Sequence, residues 1–143
     1  MSTLKIKFFF IDVKVSLSHR EKLKSFILQI FKKEQKKVGS LNYIFCTDKY
    51  LLKINSRYLN HNYYTDILTF DLSTQNHVSG DIYISIPRVK QNAKKYSISF
   101  SSELKRVMFH GALHLCGHND KTTLEISLMR KAENKLLLLW RST

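Results

Sequence analysis

Two histidines four residues apart are the side chains of this protein best placed to do chemistry. His110 and His114 lie in the segment HGALHLCGHND, which spans residues 110–120 and ends in Asp120. Side chains four residues apart share one face of a helix, about 5–6 Å from each other, so two imidazoles can bind one metal ion. Gly117 can end the helix, and the turn after it can bring Asp120 back as a third ligand. Three protein ligands and an open position are typical of a catalytic zinc site.

The residues around the two histidines narrow the kind of site. Metallopeptidases of the HExxH type carry a glutamate directly after the first histidine as general base, but Gly111 takes that position here. A peptidase is therefore disfavoured, and we expect the glycine to leave the helix surface open to a substrate. No residue is assigned as general base, and the attacking water would occupy the open position on the metal. Thr65 and Asp66, at the start of a predicted strand, are interpreted as a turn cap, with a place in the cleft as the alternative.

The charge of the chain indicates a polyanionic partner. Its 143 residues include 24 Lys and Arg against 11 Asp and Glu, a formal net charge of +13. Such an excess favours RNA, DNA or an acidic membrane surface, and a hydrolytic metal site shifts the choice to nucleic acid. A solvated basic surface without a dedicated ligand is the alternative. Tyr58, Tyr63 and Tyr64 are candidates for stacking on unpaired bases, or for packing at the rim of a sheet.

Cysteine usage and hydropathy indicate a cytoplasmic protein. Cys46 and Cys116 are the two cysteines, each among apolar residues, so we expect neither a disulfide framework nor a zinc knuckle. The N-terminal residues show no long apolar region with a cleavage site, and no stretch of about 18 apolar residues is available to cross a bilayer. A reducing, cytoplasmic compartment is the simplest interpretation, with no membrane among the partners.

The elements that must position the histidines follow from apolar periodicity. A single domain over residues 1–143 is expected from the length. Strands are predicted at residues 4–15, 41–46, 67–70 and 80–86, and helices at residues 18–39, 48–58, 87–96, from Ser101 or Ser102 to 117, and 122–140. The order β-α-β-α-β-β-α-α-α predicts an α+β domain, with a small mixed β-sheet packed with helices, one of which carries the metal site.

Polar and glycine residues predict where two of these helices begin or end. Ser18 with Glu21, and Thr122 with Glu125, have the three-residue spacing of a capping box. Each box is expected to begin a helix. Gly39 is expected to close the first helix.

The histidine segment resembles the motif H-G-x-L-H-L-x-G-x-D-H of the YbeY family of endoribonucleases. HGALHLCG, at residues 110–117, matches the start of that motif. Upstream, INSRY at 54–58 and TDILTF at 65–70 resemble the family's LN…TDVLSF region, and GDIYI at 80–84 resembles its GDI strand. The motifs follow the family's order and cover the chain from about residue 50 to residue 140.

This resemblance implies a zinc-dependent endoribonuclease specific for single-stranded RNA, with a zincin-like metal-binding helix. Members of the family act in maturation of the 3′ end of small-subunit (16S) ribosomal RNA and in ribosome quality control. The implied partners are therefore that RNA and, with it, proteins of the small ribosomal subunit. By motif position, His110 and His114 become ligands of one zinc ion per chain, and the third position falls on Asp120, where the family usually has histidine.

Two departures from the family pattern keep alternatives open. Asp120 is the preferred third ligand because aspartate binds zinc and the residue keeps the motif register, while His118 is the rival. Leu59 takes a position at which the family often has arginine, a candidate to bind substrate phosphate, and Arg57 or Arg88 are candidates to replace it. A non-catalytic module that binds RNA or the ribosome during assembly, with a structural metal, is therefore the alternative to an enzyme.

Overall fold

A computed structural model describes residues 2–143, and over that range the chain forms four strands and five α-helices. The strands are β1 (Ile6–Phe10), β2 (Val38–Cys46), β3 (Ile67–Asp71) and β4 (Val78–Ser85). The helices are α1 (Arg20–Lys33), α2 (Asp48–Leu59), α3 (Ile86–Lys95), α4 (Phe100–Leu115) and α5 (Thr123–Arg141), and a short 3₁₀ turn, Thr3–Lys5, precedes β1. The predicted α+β class and the predicted order of elements are confirmed. No helix within residues 2–143 has both the length and the apolar content that crossing a bilayer requires.

The four strands form one mixed sheet in the order β1-β2-β4-β3. β2 lies parallel to both β1 and β4, while β3 runs antiparallel to β4 at the edge. Parallel neighbours need long crossover connections, which α1 provides between β1 and β2, and α2 together with β3 provides between β2 and β4. The small mixed sheet predicted from the sequence is therefore confirmed, with β3 exposed on one side.

Alternation along β4 assigns helices to the two faces of the sheet. Ile82 is fully buried and lies against Gly111 of α4. The next residue, Tyr83, instead stacks on Tyr50 of α2, with ring centroids 6.4 Å apart. Because successive residues of a strand point to opposite faces, α4 covers one face of the sheet and α2 covers the other.

Gly111 serves close packing, and the expectation that it opens the helix to substrate is wrong. The residue is buried, and a Cβ added there would lie 2.9 Å from Ile82 Cδ1 and 3.2 Å from Ile67 Cδ1. The missing side chain therefore lets α4 approach β3 and β4 closely. His110 and His114 lie on another side of the same helix and are half-buried.

Both predicted ends of α1 are wrong. The N-cap residue is His19, at φ 55°, and no side chain caps the helix, so the box expected from Ser18 does not form. At the other end, Gln35 adopts the left-handed conformation at φ 58°, and the following amide bonds back to the helix at 2.8 Å. Gly39 lies inside β2, because the preceding residue, Val38, already pairs with β4.

The ends of α4 and α5 shape the turn that carries Asp120. The N-cap of α4 is Ser99 rather than Ser101 or Ser102, and its hydroxyl accepts from a backbone amide at 3.1 Å. The C-terminal end of α4 is followed by Gly117 at φ 101°, as its spacing predicts. The capping box that Thr122 forms at the start of α5 is confirmed. Two well-defined helix ends therefore hold a short turn between them.

Gly80 offers a test of the pairing between β3 and β4. A Cβ at Gly80 would lie 2.7 Å from the backbone oxygen of Phe70, which cannot rotate away as a side chain can. We expect Gly80→Ala to lower the free energy of unfolding by roughly 1–3 kcal/mol, measured by urea denaturation. Gln91→Ala, at an exposed position of α3, is the control and should change it by less than about 0.5 kcal/mol. Equal stability of Gly80→Ala and the wild type would contradict this register.

Candidate metal centre

The end of α4 and the turn after it bring His110, His114 and Asp120 together. His110 Nε2 lies 3.3 Å from Asp120 Oδ2, and His114 Nε2 lies 3.7 Å from Asp120 Oδ1. One potential ligand atom from each residue lies within 4.8 Å of the other two. The two imidazole rings are 5.6 Å apart between centroids, as expected for neighbours on one helix face. The three residues predicted as ligands therefore surround one position, which a single cation can share.

An acceptor orients each imidazole through its other ring nitrogen. His110 Nδ1 lies 2.6 Å from Glu133 Oε2, and His114 Nδ1 lies 2.8 Å from the backbone oxygen of His118. A carbonyl oxygen can only accept, so the hydrogen of neutral His114 belongs on Nδ1. Its Nε2 then turns a lone pair toward Asp120. This arrangement, with Nδ1 donating and Nε2 free to coordinate, is typical of metal-bound histidines.

The donor set fits zinc. Two imidazole nitrogens and one carboxylate match a catalytic zinc site, whereas magnesium and calcium prefer oxygen ligands alone. When the hydrogen of each imidazole is on Nδ1, the two Nε2 atoms and the Asp120 carboxylate face one another as acceptors. Three facing acceptors require a cation, or added protons, between them. Cys46 and Cys116 are free thiols and lie outside the cluster, and burial raises the pKa of each to about 12. Neither cysteine is therefore a thiolate ligand here.

His118, the rival third ligand, points away from the other two histidines. Its Nε2 pairs with the carboxylate of Glu34, just beyond the C-terminal end of α1. Its contribution to the site is the backbone oxygen that orients His114. The structure therefore brings Asp120, and not the His118 ring, to the pair of histidines.

A buried charged network behind His110 was not predicted from the sequence. Glu133, on α5, is 2% exposed, and Glu103, on α4, is 0% exposed. Arg106 lies between them and donates at 2.9 Å to each carboxylate. Glu103, Arg106 and His110 are three and four residues apart on α4, so their spacing alone could have predicted that these three side chains lie on one side of the helix. Glu133 gives no such signal, since it comes from a different helix.

The network keeps the Glu133 carboxylate ionised. Burial by itself would raise the pKa of Glu133, but hydrogen bonds from His110 and Arg106 and the positive charge nearby outweigh burial, so the pKa is lowered. An ionised Glu133 accepts the hydrogen on His110 Nδ1 and fixes the tautomer of that ring. Glu133 therefore orients His110 as the His118 carbonyl orients His114.

The three candidate ligands line a cleft between α4 and the edge strand β3. The cavity has a volume of about 350 Å³, and its wall includes Thr65, Asp66 and Leu59. Thr65 and Asp66 therefore have the place in the cleft that was the alternative interpretation, and the Thr65 hydroxyl also donates to the backbone oxygen of Ile67 at 3.3 Å, as a residue of a turn does. Leu59, at the end of α2, contributes an apolar side chain to this wall.

Asp66 is the acidic group of this cleft outside the proposed ligand set. Burial raises the pKa of the Asp66 carboxyl above its usual range, and the positive charges of Arg106 and His110 offset part of that increase. Asn92 Nδ2 donates to Asp66 Oδ2 at 3.4 Å. A carboxyl group whose ionised form is disfavoured, and which lines a cleft, is typical of a functional site.

The arginines considered as replacements at the Leu59 position lie elsewhere. Arg88 pairs with Asp48 at 2.6 Å and lies over the ring of Tyr64. Arg57 faces a groove on the outer side of α2. Among the arginines and lysines of residues 2–143, Arg106 alone lines the cleft. Its guanidinium group already pairs with the carboxylates of Glu103 and Glu133.

The chain is similar to a family of known proteins. The family model described as Endoribonuclease YbeY matches residues 9–141. The chain is 43% identical to the endoribonuclease YbeY of Flavobacterium johnsoniae over 90% of this chain and 93% of that protein. It is 47% identical to that of Cytophaga hutchinsonii over 94% of each.

A solved structure shares the fold. The solution structure of a Thermotoga maritima protein superposes with a TM-score of 0.65 at 28% identity, covering 94% of this chain and 92% of that one. The resemblance predicted from the histidine segment and the upstream motifs is thus confirmed. The chain belongs to the endoribonuclease YbeY family.

Proposed function

We propose that this protein is a metal-dependent endoribonuclease that cleaves single-stranded RNA, with one zinc ion held by His110, His114 and Asp120. The observation that supports this most strongly is the convergence of these three side chains at the wall of an open cleft, with both Nδ1 atoms already engaged. When bound, zinc would act as a Lewis acid toward the phosphodiester and lower the pKa of a water molecule. Membership of the YbeY family supports the reaction type.

The other groups of the cleft would bind and orient the RNA. Thr69 lines the wall opposite α4 and carries a hydroxyl that can donate to a phosphate oxygen, while the Thr65 hydroxyl donates to the backbone oxygen of Ile67. Asp66 is the titratable group placed to exchange a proton during cleavage. Glu133 and Arg106 act behind His110, where they hold its ring in one orientation.

The substrate we propose is ribosomal RNA of the small subunit, processed at its 3′ end, with a role in ribosome quality control. The matched relatives are named endoribonucleases, which supports RNA as the substrate class. The net charge of +13 supports a polyanion. The family resemblance supports ribosomal RNA as the substrate and proteins of the small subunit as partners. Cysteine usage and hydropathy support a cytoplasmic location, and the chain length supports one functional domain over residues 1–143.

A second candidate function is a non-catalytic assembly factor that binds RNA or the ribosome through a structural metal site. It is favoured by two features of the cleft, the apolar Leu59 and the neutralised Arg106. A turnover assay on single-stranded RNA separates the two functions. An assembly factor binds the RNA with a steep salt dependence and yields no product when zinc is present.

The ligand set can be tested by zinc content. We expect the purified protein to carry about one zinc ion per chain, and His114→Ala to lose both the metal and RNA cleavage. His118→Ala is the matched control, since its ring points to Glu34 and its backbone oxygen is retained; it should keep its zinc. Mass spectrometry of the metal and cleavage of a labelled single-stranded RNA provide the measurements. Full activity of the metal-free wild type would refute the proposal.

The role of Glu133 can be tested by metal affinity. Glu133→Gln removes the charge that fixes His110 and should weaken zinc binding by about 10–100-fold, measured by competition with a chromophoric chelator. Glu21→Gln, at an exposed position of α1, is the control and should bind zinc as the wild type does. An unchanged zinc affinity in Glu133→Gln would show that this contact does not support the ligand.

The half-buried carboxyl of Asp66 predicts a pH-dependent stability. Because its pKa is raised in the folded state, the Asp66 carboxyl should contribute stability below about pH 4 that is lost as the pH rises through that pKa. Asp66→Asn should therefore be more stable than the wild type at neutral pH, and the difference should shrink toward about pH 4. Urea denaturation of the zinc-free proteins at both pH values measures this. A variant less stable than the wild type at neutral pH contradicts the prediction.

A further inference from the structure

A shallow, open groove follows the outer face of α2. Its volume is about 640 Å³, and it is lined by Lys49, Leu52, Lys53, Ser56, Arg57 and Asn62. The three cations of this set recur every four residues, so they form a stripe with steps of about 6 Å along the helix axis. That step is on the scale of the distance between successive phosphates of an extended single strand. The groove therefore presents an evenly spaced row of positive charge.

Within residues 2–143, the three cations of the groove form no ion pair with a carboxylate. The acid at the start of α2, Asp48, is turned away and binds Arg88 and the hydroxyl of Ser85. Like charges four residues apart destabilise a helix slightly. A polyanion lying along the groove would relieve that repulsion.

The loop at the end of the groove holds an aromatic ring in a fixed frame. Buried Asn55 donates from Nδ2 to the backbone oxygen of Tyr63 at 2.9 Å, and the Ser56 hydroxyl donates to the backbone oxygen of His61 at 3.2 Å. The rings of Tyr63 and His61 are stacked, with centroids 5.2 Å apart and planes 22° apart. Tyr63 nevertheless remains 57% exposed. An exposed ring held from below in this way is preorganised to stack on another flat group.

The groove leads toward the metal centre. Leu52, Ser56 and Leu59 lie along one stripe of α2. The first two line the groove, and Leu59 lines the cleft together with His110 and His114. Because α2 and α4 lie on opposite faces of the sheet, a strand following α2 from its N-terminal end reaches the candidate ligands by passing Leu59 at the edge strand β3.

We propose that the outer face of α2 is the surface that guides single-stranded RNA into the cleft, with Lys49, Lys53 and Arg57 on phosphates and Tyr63 stacked on an unpaired base. This inference rests on the proposed function, because it takes RNA as the substrate. Positive charge that follows the backbone and an aromatic ring that accepts any base are the two features of sequence-tolerant single-strand binding. An apolar residue at Leu59 is compatible with this path, because the proposed phosphate contacts come from residues 49, 53 and 57, which precede it on the same helix.

The test measures RNA binding without cleavage, by fluorescence anisotropy of a labelled single-stranded RNA across a salt series. The protein is His114→Ala, with chelator-treated wild type as a second background in case that variant folds poorly. The triple variant K49Q/K53Q/R57Q should reduce the slope of log affinity against log salt by about 2, because each phosphate that is no longer neutralised reduces it by roughly 0.7. Tyr63→Ala should weaken binding about tenfold with an unchanged slope, and Tyr63→Phe should retain it.

The matched control is K32Q/K131Q/K135Q, three exposed lysines on α1 and α5. α1 and α5 pack against α4, on the other side of the sheet from α2, so this control should bind RNA with the wild-type slope.

Equal losses in both triple variants, or equal competition by a duplex of the same sequence, would overturn the proposed surface. Groove-dependent binding without cleavage by the zinc-loaded wild type would overturn the nuclease function and leave this surface standing. If K49Q/K53Q/R57Q, made in the zinc-loaded wild-type background, binds and cleaves RNA at wild-type levels, the proposed surface is overturned and the nuclease function stands.

Discussion

The contact between His110 Nδ1 and Glu133 is the interaction on which the metal centre depends most. Glu133 belongs to α5 and His110 to α4, so the contact fixes an imidazole through a second helix. A buried carboxylate left alone would be costly. Hydrogen bonds from His110 and Arg106 keep Glu133 charged in a position that is 2% exposed, and Arg106 also donates to Glu103. The site is thus supported by two buried carboxylates that do not line the cleft, and by Arg106, which does.

A second constraint is the close approach of α4 to the sheet. Gly111 lets the helix lie against Ile82, and the buried hydroxyl of Tyr43 donates to the backbone oxygen of Met108 at 2.8 Å. These contacts fix the rotation of α4 about its axis. With that rotation set, His110 and His114 face the cleft beside β3, and a single left-handed glycine directs the following turn back to them.

The histidine spacing, the glycine that ends α4 and the order of elements were all predictable, because each is encoded within a few neighbouring residues. Features that depend on distant partners were not. His118 is turned away by Glu34, which lies 84 positions earlier in the chain, and no local pattern reports that pairing. The same holds for Glu133. Gly111 was misinterpreted because its role is set by the strand packed beneath it rather than by its neighbours in sequence.

The central claim is that one cation is shared by three named side chains, and diffraction at the zinc absorption edge from zinc-loaded crystals tests it most directly. We expect one anomalous peak per chain, bound by His110 Nε2, His114 Nε2 and the Asp120 carboxylate, with the His118 ring still on Glu34. A peak bound through His118, or no peak with both imidazoles on ordinary hydrogen-bond acceptors, would contradict it.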